Sequence, residues 1–275
     1  MSQANRPIGL AALSVLDVSP ANQVIVASEA GYTHVGLRLI PATPTETVHN
    51  VIGDTPMVRE VEKRLKETGI KCNDIEFPRM KPDTRVINLK AFLETGQRFG
   101  ARHVLVAGND PDFNRFADNF GQLCELAFPF GLSCSIEPMP WTDCKSLKDA
   151  DRLLRAVNRP NAGVCVDPIH FDRNGDSYDD LAALPEGSLK YMQFCDATAE
   201  RPTDVEGLLY QARNFRLTPG TGGLDLVGLL KHMPKDIPIS IECCNDALAL
   251  HKSPIERAKM YIEATRKLLK EAFPE

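Results

Sequence analysis

The stretch LSCSIE, residues 132–137, decides the fold, because it is rich in strand-forming residues, too short for a helix, and ends on an acid. Three later runs have the same form: AGVCVD at 162–167, LKYMQF at 189–194 and IPISIE at 237–242. Each places an oxygen-bearing side chain at or near the carboxyl end of a predicted strand. In a parallel α/β barrel, those ends form the catalytic face.

Four further apolar runs precede this group and predict strands over 8–15, 34–39, 71–77 and 103–107. Helix signals alternate with the runs: Ser19-Pro20 predicts a helix over 21–30 that ends at Gly31, and Pro56 begins one over 57–68. Further helices are predicted from Asp112 through 128, over 147–157 after Ser146, and from Pro254 through 269. The alternation predicts one (β/α)8 TIM barrel, an α/β fold that takes up residues 1–275 as a single domain.

Composition sets broad limits on the function. The 275 residues are 43% hydrophobic, which is enough for one large core, and the formal charge of −5 gives no sign of a nucleic-acid partner. No run approaches the roughly 20 apolar residues that span a bilayer, so we expect no membrane partner and a cytoplasmic protein. The eight cysteines include no Cys-x-x-Cys pair and are expected to be reduced and structural.

Strand parity predicts which side chains face the barrel interior. Residues two apart on a strand face the same side, so if Glu137 points inward, Ser135 does too. By the same rule Cys165 points inward with Asp167, and Ser240 with Glu242. Large apolar residues at the intervening positions then meet the helices. The predicted ligand residues therefore converge on the barrel axis.

The final four strands predict a metal site. Glu137, Asp167, Gln193 and Glu242 all offer oxygen atoms, and acids this close together in a partly enclosed cavity need a cation. Hard oxygen ligands favour Mn²⁺ or Mg²⁺, with Co²⁺ as an alternative. A solvated loop residue or helix cap would be the simpler explanation for any one acid, but four in consecutive strands favour the shared metal.

These residues resemble the xylose isomerase-like barrel superfamily, which includes ketose epimerases, inosose isomerases and dehydratases, dehydroshikimate dehydratases and, more remotely, endonuclease IV. The resemblance is carried by Ile-Glu137-Pro, Val-Asp167-Pro-Ile-His170, Gln193-Phe-Cys-Asp196, Arg216-Leu-Thr-Pro-Gly220-Thr-Gly222 and Ile-Glu242. It implies a divalent ion on the strand-end residues, a histidine in the site, and substrate contact by the Arg-x-x-Pro-Gly segment. At the strand-seven ligand position this chain has Gln193 instead of the usual histidine. A glutamine at that position resembles the bacterial 3-dehydroshikimate dehydratases. The resemblance excludes endonuclease IV itself, because that protein resembles a trinuclear zinc enzyme with many more histidines than the six in this chain.

A metal that polarises a carbonyl stabilises the enolate formed when a base removes the neighbouring proton. That enolate leads to epimerisation, isomerisation or loss of a β-hydroxyl, and the metal site alone does not separate the three. His170 is the first candidate for the base; the alternative is a histidine that only hydrogen-bonds a carboxylate. Glu76, Glu137 and Glu242 are the other candidates for the base, Glu76 is also a candidate substrate contact, and Asp196 is expected to orient a ligand.

Arg38 and Arg216 are predicted at the catalytic face, where guanidinium groups suit an anionic substrate. The alternative for each is a surface ion pair. Residues 220–223 are a candidate phosphate cradle but lack the spacing of a P-loop or a dinucleotide site, so no nucleotide cofactor is indicated.

The sequence thus predicts a metal-dependent enzyme that enolises a small polyhydroxylated carbonyl substrate, of the sugar or cyclitol isomerase/epimerase type. A 3-dehydroshikimate dehydratase-like lyase is the alternative, and a catalytically silent ligand-binding barrel is the rival from another class. Homo-oligomerisation is left open, because no segment identifies an interface.

Overall fold

The computed structural model describes residues 6–274, and within them eight parallel strands close into a barrel in chain order. This confirms the predicted (β/α)8 architecture. The strands are β1 (Ile8–Leu10), β2 (His34–Arg38), β3 (Lys71–Met80), β4 (His103–Gly108), β5 (Ser133–Ile136), β6 (Ala162–Val166), β7 (Leu189–Phe194) and β8 (Ile239–Ile241).

Helices surround the barrel, and most begin at a capping residue. Ser19 accepts a hydrogen bond from the Asn22 backbone, and the left-handed Gly31 ends that helix, because glycine adopts its φ of 83° without a steric cost. The helices are α1 (Pro20–Ala30), α2 (Pro56–Thr68), α3 (Lys90–Arg98), α4 (Phe113–Ala127), α5 (Leu147–Val157), α6 (Pro168–Asn174), α7 (Tyr178–Ala182), α8 (Val205–Asn214), α9 (Leu226–His232), α10 (Asp246–Ala249) and α11 (Pro254–Ala272).

The predicted first strand, 8–15, is wrong in its second half. β1 ends at Leu10, and residues Ala12–Val15 form a 3₁₀ helix. Ser14 holds this turn against β8: its hydroxyl donates to the Ile241 carbonyl at 2.9 Å and accepts from the Cys243 backbone at 2.8 Å. A short apolar run fits a strand and a buried turn equally well, so periodicity alone does not separate them.

The barrel has two separate apolar cores. The larger lies between the sheet and the helices and contains Ile136, Val164 and Ile241, as the parity argument requires. The smaller is inside the barrel and includes Cys165 together with bulkier side chains. Its members are Phe77, Leu105, Ala107, Met139, Cys165 and Tyr191. The interior thus contains large residues from β3, β4 and β7 in addition to the small ones that strand parity places there.

Two further predictions concern burial. All eight cysteines are buried and free, as small structural side chains would be. Among the described residues, no helix combines the length and the hydropathy needed to cross a bilayer.

His103 lies at the amino-terminal end of the barrel interior, where its ring stacks on Tyr191 at 5.0 Å and its Nδ1 lies 2.6 Å from the Ser133 hydroxyl. Burial, aided by the charges of Lys190 and Arg102, lowers the pKa of His103 to about 3. The unfolded chain binds this proton near pH 6.5 and the folded chain does not. We therefore expect His103 to reduce the free energy of unfolding progressively as the pH falls from about 6.5 towards 3.

Urea midpoints measured from pH 7.5 to pH 4.5 check this expectation. The His103→Gln variant should lose stability less steeply over that range than the unchanged protein, whatever its stability at pH 7.5. Parallel curves for the two proteins would contradict it.

Candidate active site

A cavity of about 440 Å³ opens at the carboxyl ends of the strands, where the sequence places the catalytic face. Its walls include Arg38, Glu137, His170, Arg216 and Glu242, all of which were predicted site residues. Glu76, Asp167 and Gln193 are buried but are not part of the cavity wall. The predicted residues thus form an inner and an outer layer around one space.

Three side chains form a group that could hold a metal ion: Glu137, Asp167 and His170, whose ligand atoms all lie within 4.8 Å of one another. Asp167 caps α6 by accepting from the Ile169 backbone at 3.0 Å, and His170 lies on the first turn of that helix. The His170 Nε2 atom is 3.8 Å from Glu137 Oε1 and 3.9 Å from Asp167 Oδ2. The Trp141 indole and the imidazole meet at right angles, with the ring centroids 5.1 Å apart.

Burial makes this group electrostatically demanding. Desolvation, followed by the charges of Glu242 and Asp167, raises the pKa of Glu137 well above its usual range. Desolvation also lowers the pKa of His170 to about 4, so its imidazole is neutral at pH 7 and keeps a lone pair for a metal. A divalent cation would relieve the repulsion between the carboxylates.

Gln193 and Glu242 form a hydrogen-bonded pair beside this group. The Gln193 amide donates to Glu242 Oε1 at 3.0 Å, and Gln193 Oε1 is buried without a hydrogen-bond partner among the described residues. Burial, partly offset by Arg216, raises the pKa of Glu242 to about 7. The candidate metal group therefore contains two predicted ligands, Glu137 and Asp167, together with His170, which was predicted as the base. Metal ligation by Gln193 and Glu242 stays a prediction.

Arg216 bridges the two sets of acids. Its Nη1 atom donates to Asp167 Oδ2 at 2.6 Å, and its Nη2 atom lies 3.0 Å from Glu242 Oε2. Burial alone would raise the pKa of Asp167, but Arg216 and His170 hold it below its usual range. The guanidinium is 3% exposed and is fixed by a further bond to the Ala212 carbonyl.

Arg38 is similarly engaged by acids. Its Nε and Nη2 atoms donate to Glu76 Oε2 at 3.0 and 2.8 Å, and its Nη1 donates to Glu46 at 3.2 Å. Glu76 is fully buried behind this arginine. Substrate contact by Arg38, Arg216 and Glu76 therefore stays a prediction, and both arginines already have carboxylate partners.

The glycine-rich segment does not form the phosphate cradle considered from the sequence. Gly220 and Gly222 donate their backbone N–H groups to Asp196 Oδ2 at 2.9 and 2.8 Å, and Leu224 donates to Oδ1 at 3.1 Å. Because these amides already bind a carboxylate of the same chain, they are not available to a phosphate. Asp196 holds the loop rather than a ligand.

Sequence reasoning missed two arginines of the cavity wall, Arg79 and Arg213. β3 continues to Met80, beyond its predicted end at 77, and this extension carries Arg79 to the cavity. Arg213 lies on α8 three residues before Arg216, and that helix was not among those predicted. Arg216 lies beyond the end of this helix, so the three-residue spacing of the two arginines gave no helical signal for Arg213.

Residues 24–271 match the family model described as the xylose isomerase-like TIM barrel. One relative is a 3-dehydroshikimate dehydratase of Pseudomonas aeruginosa, 32% identical over 135 residues, which cover 47% of this chain and 20% of that protein. Another is an inosose isomerase of Bacillus licheniformis, 28% identical over 156 residues, covering 56% of this chain and 52% of that one. The matched part of the chain thus spans from a fifth to about half of these relatives' length.

Solved structures share the fold at low sequence identity. The IolI protein with a bound zinc atom superposes with a TM-score of 0.78 at 16% identity, covering 98% of this chain and all of that one. The D-allulose 3-epimerase of Methylomonas sp. gives a TM-score of 0.70 at 17% identity, covering 96% and 98%. Together with the family match over most of the chain, the closed barrel and its strand-end acids confirm the resemblance, and the protein belongs to the xylose isomerase-like TIM barrel family.

Proposed function

We propose that this protein is a divalent-metal-dependent enzyme that enolises a small polyhydroxylated carbonyl compound, with sugar or cyclitol isomerisation or epimerisation as the first candidate. One observation carries the proposal: the buried group of Glu137, Asp167 and His170 lies where β5 and β6 end, beside the cavity. Isomerases, epimerases and dehydratases among the relatives support the same reaction class.

The residues present fit a divalent ion. Glu137, Asp167 and His170 would hold it, with Glu242 and the buried, unpartnered Gln193 Oε1 as further ligands among the described residues. Carboxylate and amide oxygens favour Mn²⁺ or Mg²⁺ over softer ions, and the histidine also admits Co²⁺ or Zn²⁺. When bound, such an ion supplies Lewis acidity that polarises a substrate carbonyl.

The side chains of the protein would move the protons. Glu137 and Glu242 both line the cavity, each only 3% exposed, and they follow different strands. One carboxylate removes the proton next to the carbonyl and the other returns a proton to the enolate, which gives epimerisation or isomerisation. The Trp141 edge orients His170 and helps exclude water from that wall.

Dehydration of a 3-dehydroshikimate-like acid is the second candidate. It begins with the same proton removal and continues with loss of a β-hydroxyl, for which the cavity acids would supply the proton. The identity of 32% with a 3-dehydroshikimate dehydratase and the strand-seven glutamine favour it.

Metal titration tests the proposal against the silent ligand-binding barrel. Chelator-treated protein should bind about one equivalent of Mn²⁺ in calorimetry, because the protein itself offsets only part of the negative charge of the clustered carboxylates. A protein that takes up no Mn²⁺, Mg²⁺, Co²⁺ or Zn²⁺ would favour the silent barrel.

Substrate incubation separates the two chemistries. Isomerase or epimerase activity would introduce solvent deuterium into an inosose or a ketose, observed by NMR in D₂O. Dehydratase activity would convert 3-dehydroshikimate to protocatechuate, observed by its absorbance. Metal-loaded protein that does neither, over a panel that includes sugar acids and sugar phosphates, would contradict the proposed reaction class.

A further inference from the structure

Two arginines of the cavity wall have no ion-pair partner among the described residues. Among the described residues, five arginines line the cavity, and three of them are in ion pairs: Arg38 with Glu76 and Glu46, Arg216 with Asp167 and Glu242, and Arg257 with Asp17. The remaining two are Arg79 and Arg213. Neither has a carboxylate within ion-pair distance in residues 6–274.

Arg79 is fixed by neutral groups. Its Nη1 atom donates to the Asn109 side-chain oxygen at 3.0 Å and its Nη2 atom to the Ala42 carbonyl at 3.1 Å. The guanidinium lies over the Phe77 ring, 4.9 Å from the ring centroid. Neutral acceptors and an aromatic face orient the group but leave its full charge uncompensated.

Arg213 is held more loosely. Its guanidinium lies 5.9 Å from the centroid of the Trp141 ring, the same ring that contacts His170. Within residues 6–274 it makes no hydrogen bond to a side chain or ion pair, so its planar set of N–H donors is available to a ligand. The cavity wall therefore has a half-buried guanidinium without a protein partner among the described residues, beside the Trp141 ring that contacts His170.

Two acids attract these arginines without pairing with them, and Glu137 acts on Arg79 more strongly than Glu46 does. Glu46 attracts both arginines, but its Oε1 atom already accepts from Arg38 at 3.2 Å and its Oε2 atom accepts from the Ala42 backbone at 2.9 Å. Burial lowers the pKa of Arg79, and the charge of Arg213 lowers it further. Two like charges sharing a partly buried wall are stabilised when an anion lies between or beside them.

We propose that Arg79 and Arg213 form a subsite for an anionic group, a carboxylate or a phosphate, on the substrate of this cavity. The subsite rests on the proposed function and narrows it: the polyhydroxylated carbonyl compound is an acid or a phosphate ester rather than a neutral sugar or inosose. A neutral substrate would leave both guanidinium groups desolvated without a partner, which disfavours its binding.

A matched pair of ring diols tests the proposal. Protocatechuate and catechol offer a metal the same two oxygens and differ by one carboxylate, so calorimetry on Mn²⁺-loaded protein isolates the anionic group. We expect protocatechuate to bind at least about tenfold more tightly, since a charge-assisted contact to guanidinium is among the stronger hydrogen bonds. Inorganic phosphate is the second probe. If phosphate competes with protocatechuate, the subsite accepts both phosphates and carboxylates; if phosphate does not compete, the subsite accepts carboxylates only.

Variants locate the effect. Arg213→Gln and Arg79→Gln should each weaken protocatechuate about tenfold and leave catechol unchanged, because only the acid uses the guanidinium. Arg152→Gln is the matched control: Arg152 also lies over an aromatic ring, 3.7 Å from the Phe113 centroid, but outside the cavity wall. It should bind both ring compounds as the unchanged protein does.

Two results would overturn the subsite. One is equal affinity of the unchanged protein for the acid and the neutral diol; the other is an equal loss of both ligands in the arginine variants. Failure of the proposed function is a separate result, since it shows as absent metal binding or absent turnover. Phosphate binding that depends on Arg213 would still be measured in that case.

Discussion

Asp167→Asn is expected to abolish tight metal binding and to lower kcat/KM at least about a hundredfold. The amide keeps the size of the carboxylate and still accepts from the Ile169 backbone, but it loses the charge that a cation and Arg216 both require. Calorimetry with Mn²⁺ and steady-state kinetics on whichever substrate shows turnover provide the two measurements.

Glu137→Gln and Asp118→Asn make this result interpretable. Glu137 belongs to the same candidate metal group without contacting Arg216, so its loss should reproduce the metal defect with the arginine in place. Asp118 is an exposed acid on α4, and its substitution should change neither metal affinity nor kinetics. Metal affinity near that of the unchanged protein in both Asp167→Asn and Glu137→Gln would contradict the site.

Asp196→Ala is expected to lower the free energy of unfolding by about 3 kcal/mol. This carboxylate is 1% exposed and accepts four backbone N–H groups, from Ala197, Gly220, Gly222 and Leu224. Alanine leaves those donors without their carboxylate acceptor, and three of the four hydrogen bonds that are lost are part-buried. Activity should fall as well, because the loop continues from Leu217, whose backbone pairs with Asp196 beside Arg216.

Urea denaturation of three proteins measures the effect. Asp196→Asn retains one acceptor oxygen and should recover part of the lost stability. Asp204→Ala serves as the control, since Asp204 is an exposed cap that accepts from Gly207 alone, and its loss should cost about 1 kcal/mol. Equal midpoints for Asp196→Ala and Asp204→Ala would show that the buried carboxylate does not hold the loop.

Local signals account for the parts of the fold that could be predicted. Ser146 and Ser253 each start a helix by pairing with an acid three residues later, and such caps are set by neighbouring residues alone. β5 to β8 agree with their predicted runs to within about two residues, because short apolar segments between turns leave few alternatives. The prediction for the first strand was wrong because a distant contact determines the end of that segment. The turn at Ala12–Val15 is stabilised by β8, more than 200 residues away in the sequence.

The sequence predicted the position of the site but not the ion pairs that its side chains make. Strand ends place Glu137, Asp167 and Glu242 at one face, since a barrel brings all its carboxyl ends together. The partners of Arg38 and Arg216 depend on side-chain directions across several strands, and no local pattern contains them. Arg79 and Arg213 were missed because a cation without an acidic partner is recognised only when its surroundings are known.

The bridge that Arg216 makes between Asp167 and Glu242 affects how the protein would take up a metal ion. A guanidinium already offsets part of the charge of these two acids, so a divalent ion completes a neutralisation that the protein has begun. Protein stripped of its ion by a chelator should therefore keep its circular dichroism spectrum. Metal affinity would then report the negative charge that Arg216 leaves uncompensated, and not the stability of the barrel.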